Sequence, residues 1–113
     1  RQLTSRSEQA LDSDAALVEG SARHRDEAAF TALVDRHGPM VLQVCRRVVS
    51  DAHVAADVFQ AVFLVLARKA GALHRPDALA AWLHGVARRL ACKARTAAAI
   101  FRRNLKLLRP RTN

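Results

Sequence analysis

Tyrosine is absent from this 113-residue chain, and only two cysteines, Cys45 and Cys92, stand in it. Neither has a metal-ligand neighbour at close spacing, which excludes a disulfide scaffold and fits a reducing cytoplasm. The longest unbroken apolar run, residues 61–67, is seven residues long. A bilayer-spanning helix needs about 20, so none is expected. The amino end carries Arg1, Ser5, Glu8 and Asp12 and lacks the apolar stretch of a secretory signal. The five histidines are scattered, and none pairs with another residue at metal-site spacing on one helix face. No Ser/His/Asp or Cys/His arrangement, glycine-rich phosphate loop or pair of acids points to catalysis. No enzyme activity, metal, cofactor or small-molecule substrate is therefore expected.

What is present is apolar, charged and helical. Half of the residues are apolar and 26% are charged, with much alanine, four Phe and one Trp. That suits a single helical domain with one modest core. The net charge of +9 becomes informative once located. Residues 1–82 hold ten Lys/Arg and ten Asp/Glu, whereas residues 83–113 hold nine Lys/Arg and no acid. A neutral body with a cationic end is an electrostatic footprint for a polyanion. Nucleic acid is the first candidate and an anionic membrane surface the second.

Residues 1–11 are polar and read as a frayed, disordered segment. A first helix is expected from Ser13 or Asp14, with a weak face of Ala16, Leu17 and Ala22 and a helix-weakening Gly20 near its end. Asp26 is an N-cap for a second helix and Glu27 an acid in its first turn. Phe30, Leu33, Val34, Val41, Val44, Cys45 and Val48 follow at three- and four-residue spacings. Gly38-Pro39 interrupts that stripe and predicts a kink or a break into two shorter helices. Asp51 is a further cap. Residues 54–70 are apolar on more than one side, as in a helix that is central or that doubles as a docking surface. Gly71 is its expected C-cap, and residues 71–77 form a loop with Pro76 suited to the first turn of the next helix. The last helix is expected over about 76–103, with Leu79, Trp82, Leu83, Val86 and Leu90 as a narrow core stripe. His84, Arg88 and Arg95 lie opposite that stripe, and Arg89 and Lys93 flank it. Beyond Thr96 the apolar spacing is read as lost, so the end should project or fray. The fold class is all-α, a compact bundle of about four helices with a basic C-terminal helix and tail.

Asp57-Val58-Phe59-Gln60-Ala61-Val62-Phe63 contains Asp-x-x-Gln-x-x-Phe, which resembles the polymerase-docking motif in region 2 of bacterial sigma factors of the extracytoplasmic-function (ECF) type. Residues 14–18 and 26–34 look like that family's first two helices. Residues 51–63 look like the turn into its docking helix, and 79–88 like the helix that meets promoter DNA. The similarity spans roughly 12–96, a region 2-like helical domain. Residues 97–113 match no sigma pattern and read as a basic extension or the start of a linker, with no region 4 among them.

Asp57, Gln60 and Phe63 recur at i, i+3 and i+6 and offer an acceptor, a two-way hydrogen bonder and an apolar ring to a partner. Spacing alone favours a plainer reading, with Asp57 an early-turn acid and Phe63 a core ring. The resemblance reverses it and implies contact with the clamp coiled coil of the largest subunit of core RNA polymerase. Arg88, Arg89, Lys93 and Arg95 could form a solvated face, but such faces usually mix signs to gain i,i+4 pairs. Without acids they suit phosphates. The resemblance implies that this helix and the loop before it hold the non-template strand of the −10 promoter element. His74 and Arg75, in the loop, are further DNA-contact candidates. Arg89 occupies a place where the family often uses a base-contacting polar residue. Trp82 sits on the core stripe and reads as core, and Cys45 and Cys92 as small buried or half-buried hydrophobes.

The expected function is therefore that of a sigma factor in transcription initiation, cytoplasmic, with core polymerase and promoter DNA as partners and room for an anti-sigma factor. One competing reading is a general basic nucleic-acid-binding module without a polymerase partner. Another is an interfacial anchor on anionic lipid, in which Ile100, Phe101, Leu105, Leu107 and Leu108 alternate with Arg102, Arg103, Lys106 and Arg109.

Overall fold

A computed structural model describes residues 12–108 and places among them four α-helices and no strand. The expected disordered segment 1–11, and residues 109–113 of the basic extension, lie outside the described residues. The helices are α1 (Asp14–His24), α2 (Glu27–Val48), α3 (Ala52–Lys69) and α4 (Leu79–Leu108). Helix α2 packs against each of the other three, and α4 packs on both α2 and α3. The all-α bundle expected from periodicity is the fold observed.

Three side chains start three helices. Ser13 Oγ accepts from the Ala16 N–H at 3.1 Å. Asp26 Oδ1 accepts from Ala28 and Ala29 at 3.0 and 3.2 Å, and Asp51 Oδ1 from His53 and Val54 at 2.8 and 3.2 Å. Each satisfies amide donors that a helix start leaves bare, worth about 1 kcal/mol. The core is closed by Leu17 of α1, Leu33, Val41 and Cys45 of α2, Val62 and Leu66 of α3, and Leu79 and Leu83 of α4, all fully buried. Burial also pushes the Cys45 thiol above its ordinary pKa, so this cysteine packs as a small hydrophobe.

Of the kink or break expected at Gly38-Pro39, the break is not made: α2 runs unbroken from Glu27 to Val48 with Pro39 inside it. A proline in a helix interior costs about 3 kcal/mol. Breaking the helix would turn either Leu33 or Val41 and Cys45 out of the core, at roughly 1.5–3 kcal/mol for each large side chain. Packing on both sides of Pro39 therefore wins. Gly38 is buried, and a Cβ placed there would meet the Phe59 ring at 3.5 Å, so α2 and α3 approach closely at this point.

Gly71 does not cap α3. The helix tightens into a 3₁₀ turn, Ala70–Ala72, that keeps Ala70 buried, and no described glycine has a positive φ. The left-handed cap belongs to α1 instead, where Arg25 adopts φ 49° and the Asp26 N–H donates to the Gly20 carbonyl at 3.2 Å. A second 3₁₀ turn, Pro76–Ala78, leads into α4.

The apolar spacing of α4 is not lost at Thr96. Leu90, Ala94, Ala98, Phe101, Leu105 and Leu108 continue it at three- and four-residue steps, and the helix persists to Leu108. Its last buried residue is Ala91, so the remaining turns extend about 25 Å beyond that point at 1.5 Å per residue.

Helix α1 has 11 residues, below the length at which a helix is stable alone, and a polar tie supplements its buried Leu17 and Val18. Asp14 Oδ1 accepts from Arg36 Nη1 at 2.9 Å and lies 2.9 Å from His37 Nε2. The His37 side chain is only 8% exposed, so losing its partner would leave a buried polar group unsatisfied. Asp14→Ala should therefore destabilise the domain by about 1–3 kcal/mol in urea unfolding. Glu19→Ala, which removes an exposed 3.9 Å pair with Arg23, should change stability by less than about 0.5 kcal/mol. Equal effects would show that the Asp14 tie carries no special weight.

Candidate functional site

Helix α3 buries Ala55, Val58, Val62, Phe63 and Leu66. At about 100° per residue the opposite side carries Asp57, Gln60, Leu64 and Arg68, all exposed. This face offers a carboxylate, an amide and a cation around one large apolar side chain, Leu64, which is 65% exposed. Among the described residues neither Asp57 nor Gln60 makes a side-chain hydrogen bond or ion pair, so both groups remain open to a partner.

Phe63 is not on this face. It is 6% exposed, and its ring stands 5.2 Å from that of half-buried Phe59 at 56°, a tilted pair of the favourable kind. The i+6 position lies about 120° around the helix from Asp57 and about 100° from Leu64, and the bundle claims it. The apolar contribution to the outer face comes from Leu64, one residue on. The sequence signal was available: i, i+3 and i+7 from Asp57 share a face more closely than i+6 does.

Arg88, Arg89, Lys93 and Arg95 are all exposed on α4, as expected, and none pairs with an acid among the described residues. His84, Arg88, Arg95, Arg102 and Lys106 form one line along the helix. Arg102 and Lys106 join that line because the helix continues past Thr96 to Leu108. Arg89 folds back along the helix: a Cβ at Gly85 would stand 3.3 Å from its Nη1. Gly85 thus leaves bare backbone between Arg89 and half-buried Trp82, which packs against the core as expected.

The loop candidates differ from one another. His74 is exposed with no partner among the described residues. Arg75 is held by Asp77 through two hydrogen bonds, Nε to Oδ1 and Nη2 to Oδ2, both 3.2 Å. This bidentate contact raises the Arg75 pKa and lowers that of Asp77, and it sets an acid against the charge Arg75 would bring to a phosphate. No group of three His, Cys, Asp or Glu able to hold a metal occurs among the described residues.

Residues 33–99, more than half of the chain, match the family described as Sigma-70 region 2. The chain belongs to the sigma-70 region 2 family. No curated protein and no solved structure matches it. The matched span covers α2 from Leu33 onward, all of α3 and α4 as far as Ala99, so the outer face of α3 and the α4 cations up to Arg95 fall within it, while Arg102 and Lys106 lie beyond it. Sigma-70 region 2 is a non-enzymatic domain of transcription initiation, associated in general with core RNA polymerase and promoter DNA.

The electrostatics of the region 2 face can be read by salt titration. If about five cations of α4 meet phosphates, single-strand binding should show a log–log salt slope of about −3 to −4. Asp77→Asn, which releases Arg75, should steepen that slope by about 0.7, while Arg75→Ala in the otherwise unchanged chain should leave it nearly as it was. A slope near zero would remove the electrostatic reading of α4.

Proposed function

We propose that this chain is the polymerase-docking and −10-engaging domain of an ECF-type sigma factor, acting in the cytoplasm. Its α3 face grips the clamp coiled coil of the largest polymerase subunit, and its α4 face with the preceding loop holds the non-template strand of the −10 element. The observation that carries the reading is the outer side of α3, where Leu64 stands in water between Asp57 and Gln60. A helix with an ample buried side has no internal use for an exposed leucine ringed by unpartnered polar groups. A partner helix would cover the leucine and satisfy its polar neighbours.

Phe63 contributes by position rather than contact, since its packing against Phe59 fixes the rotation of α3 in the bundle and so aims the docking face. On α4 the cations draw in the strand and release its counterions. Arg89 beside bare Gly85 offers a planar guanidinium on which an unstacked base can lie. Asp77 takes Arg75 largely out of this work, which leaves His74 as the loop's free contact.

Leu64→Ala and Gln60→Ala should each weaken binding to core polymerase about tenfold, the effect of losing one interface anchor, with helicity and melting temperature nearly unchanged. Phe63→Ala should instead lower stability by about 3–5 kcal/mol. Retention of wild-type affinity by both surface variants would overturn the docking assignment. Binding to any DNA with equal affinity, together with no capture of polymerase, would favour a general basic nucleic-acid binder.

A further inference from the structure

The end of α4 leaves the bundle while keeping an apolar side. Ile100, Phe101, Leu105, Leu107 and Leu108 are all exposed, Phe101 at 63% and Leu108 at 79%. At about 100° per residue they occupy one half of the helix circumference, interrupted only by Asn104. Arg102 and Arg103 border that half on its two sides, and Lys106 lies in the middle of the other. The same stripe that buries Leu83 and Leu90's neighbours in the bundle thus runs out into solvent with cations on both flanks.

We propose that residues 97–108 form an interfacial anchor that lies on an anionic lipid surface. Charge complementarity selects the occupant: the chain has no acid after Asp77, so every cation of this segment is free to meet negative headgroups. A second copy of the chain fits poorly, because two such tails would set cations against cations along the flanks of the seam. A protein groove also fits poorly, since groove-bound helices present a narrow i, i+3/i+4, i+7 stripe, and the apolar side here is half the circumference wide. A plane covers that width, with Arg102 and Arg103 reaching sideways to headgroups from either edge. No described helix is long and apolar enough to cross a membrane, so the segment lies in the surface and does not span it. The tail lies outside the docking face of α3, and its lipid contact stands or falls independently of polymerase binding.

Flotation of the full chain with phosphatidylcholine vesicles, with and without phosphatidylglycerol, tests this. Binding is expected to anionic vesicles and not to neutral ones. Phe101→Gln with Leu105→Gln should weaken it at least about tenfold while single-stranded DNA affinity changes less than about twofold. Both positions are fully outside the bundle, so the thermal transition should be unchanged, and Arg102→Gln with Lys106→Gln should weaken vesicle binding as well. Equal vesicle binding by the Phe101/Leu105 variant would reduce the contact to bulk charge and overturn the proposal. So would failure to float with anionic vesicles, or concentration-dependent self-association that disappears in that variant.

Discussion

The unbroken stripe of α2 is the constraint on which the arrangement rests. Leu33, His37, Val41 and Cys45 are buried at four-residue steps on both sides of Pro39, with Gly38 buried beside them, and this one helix touches the other three. Because Gly38 brings the Phe59 ring against the α2 backbone, the separation and rotation of α3 follow from a glycine in the middle of α2. That rotation decides which residues of an almost wholly apolar helix reach water. Had α2 broken at Pro39, its two halves would have offered α3 two different surfaces, and no single side of α3 would have been left over as an outer face.

Charge is segregated as strictly as apolar surface. The cations of α4 have no acid on their own helix, and pairs such as Arg89 with Lys93 and Arg102 with Lys106 lie at i,i+4, where like charges cost a few tenths of a kcal/mol each. The helix tolerates this because its first half is fixed by Leu79, Leu83, Val86, Ala87 and Ala91 in the core. Cations toward its end also face the negative pole of the helix dipole. Without local pairs the whole face stays open to an external polyanion. The one acid nearby, Asp77, is spent on Arg75, just before the segment where acids stop.

Much of this was legible in sequence because it depended on local chemistry. Asp26 and Asp51 announce their helices by capping, and Leu79, Leu83 and Val86 announce the core side of α4 by period. The family resemblance was carried by residues that lie mostly within the matched span. What escaped depended on neighbours distant in sequence. Whether Pro39 breaks α2 is settled by what the residues on either side pack against, not by the proline. Whether Gly71 caps α3 depends on Ala70 being held in the core. The partner of Asp14 lies 22 and 23 residues away, beyond any local pattern. For Phe63, spacing alone favours a core ring and the resemblance a contact residue, and its burial beside Phe59 agrees with the spacing.

That last point bears on how a docking motif persists on an apolar helix. Asp57 and Gln60 can be aimed at a partner only if the helix cannot roll about its axis, and a helix apolar on several sides has several ways to settle on a bundle. Phe63 removes this freedom. Its ring is buried beside Phe59, which itself lies against Gly38, so burying it favours one rotation among near-equivalent ones. Under the proposed docking role the polar members of the motif supply recognition and the aromatic member supplies the angle. On this argument the three residues belong together as a unit even though only two of them are open to a partner.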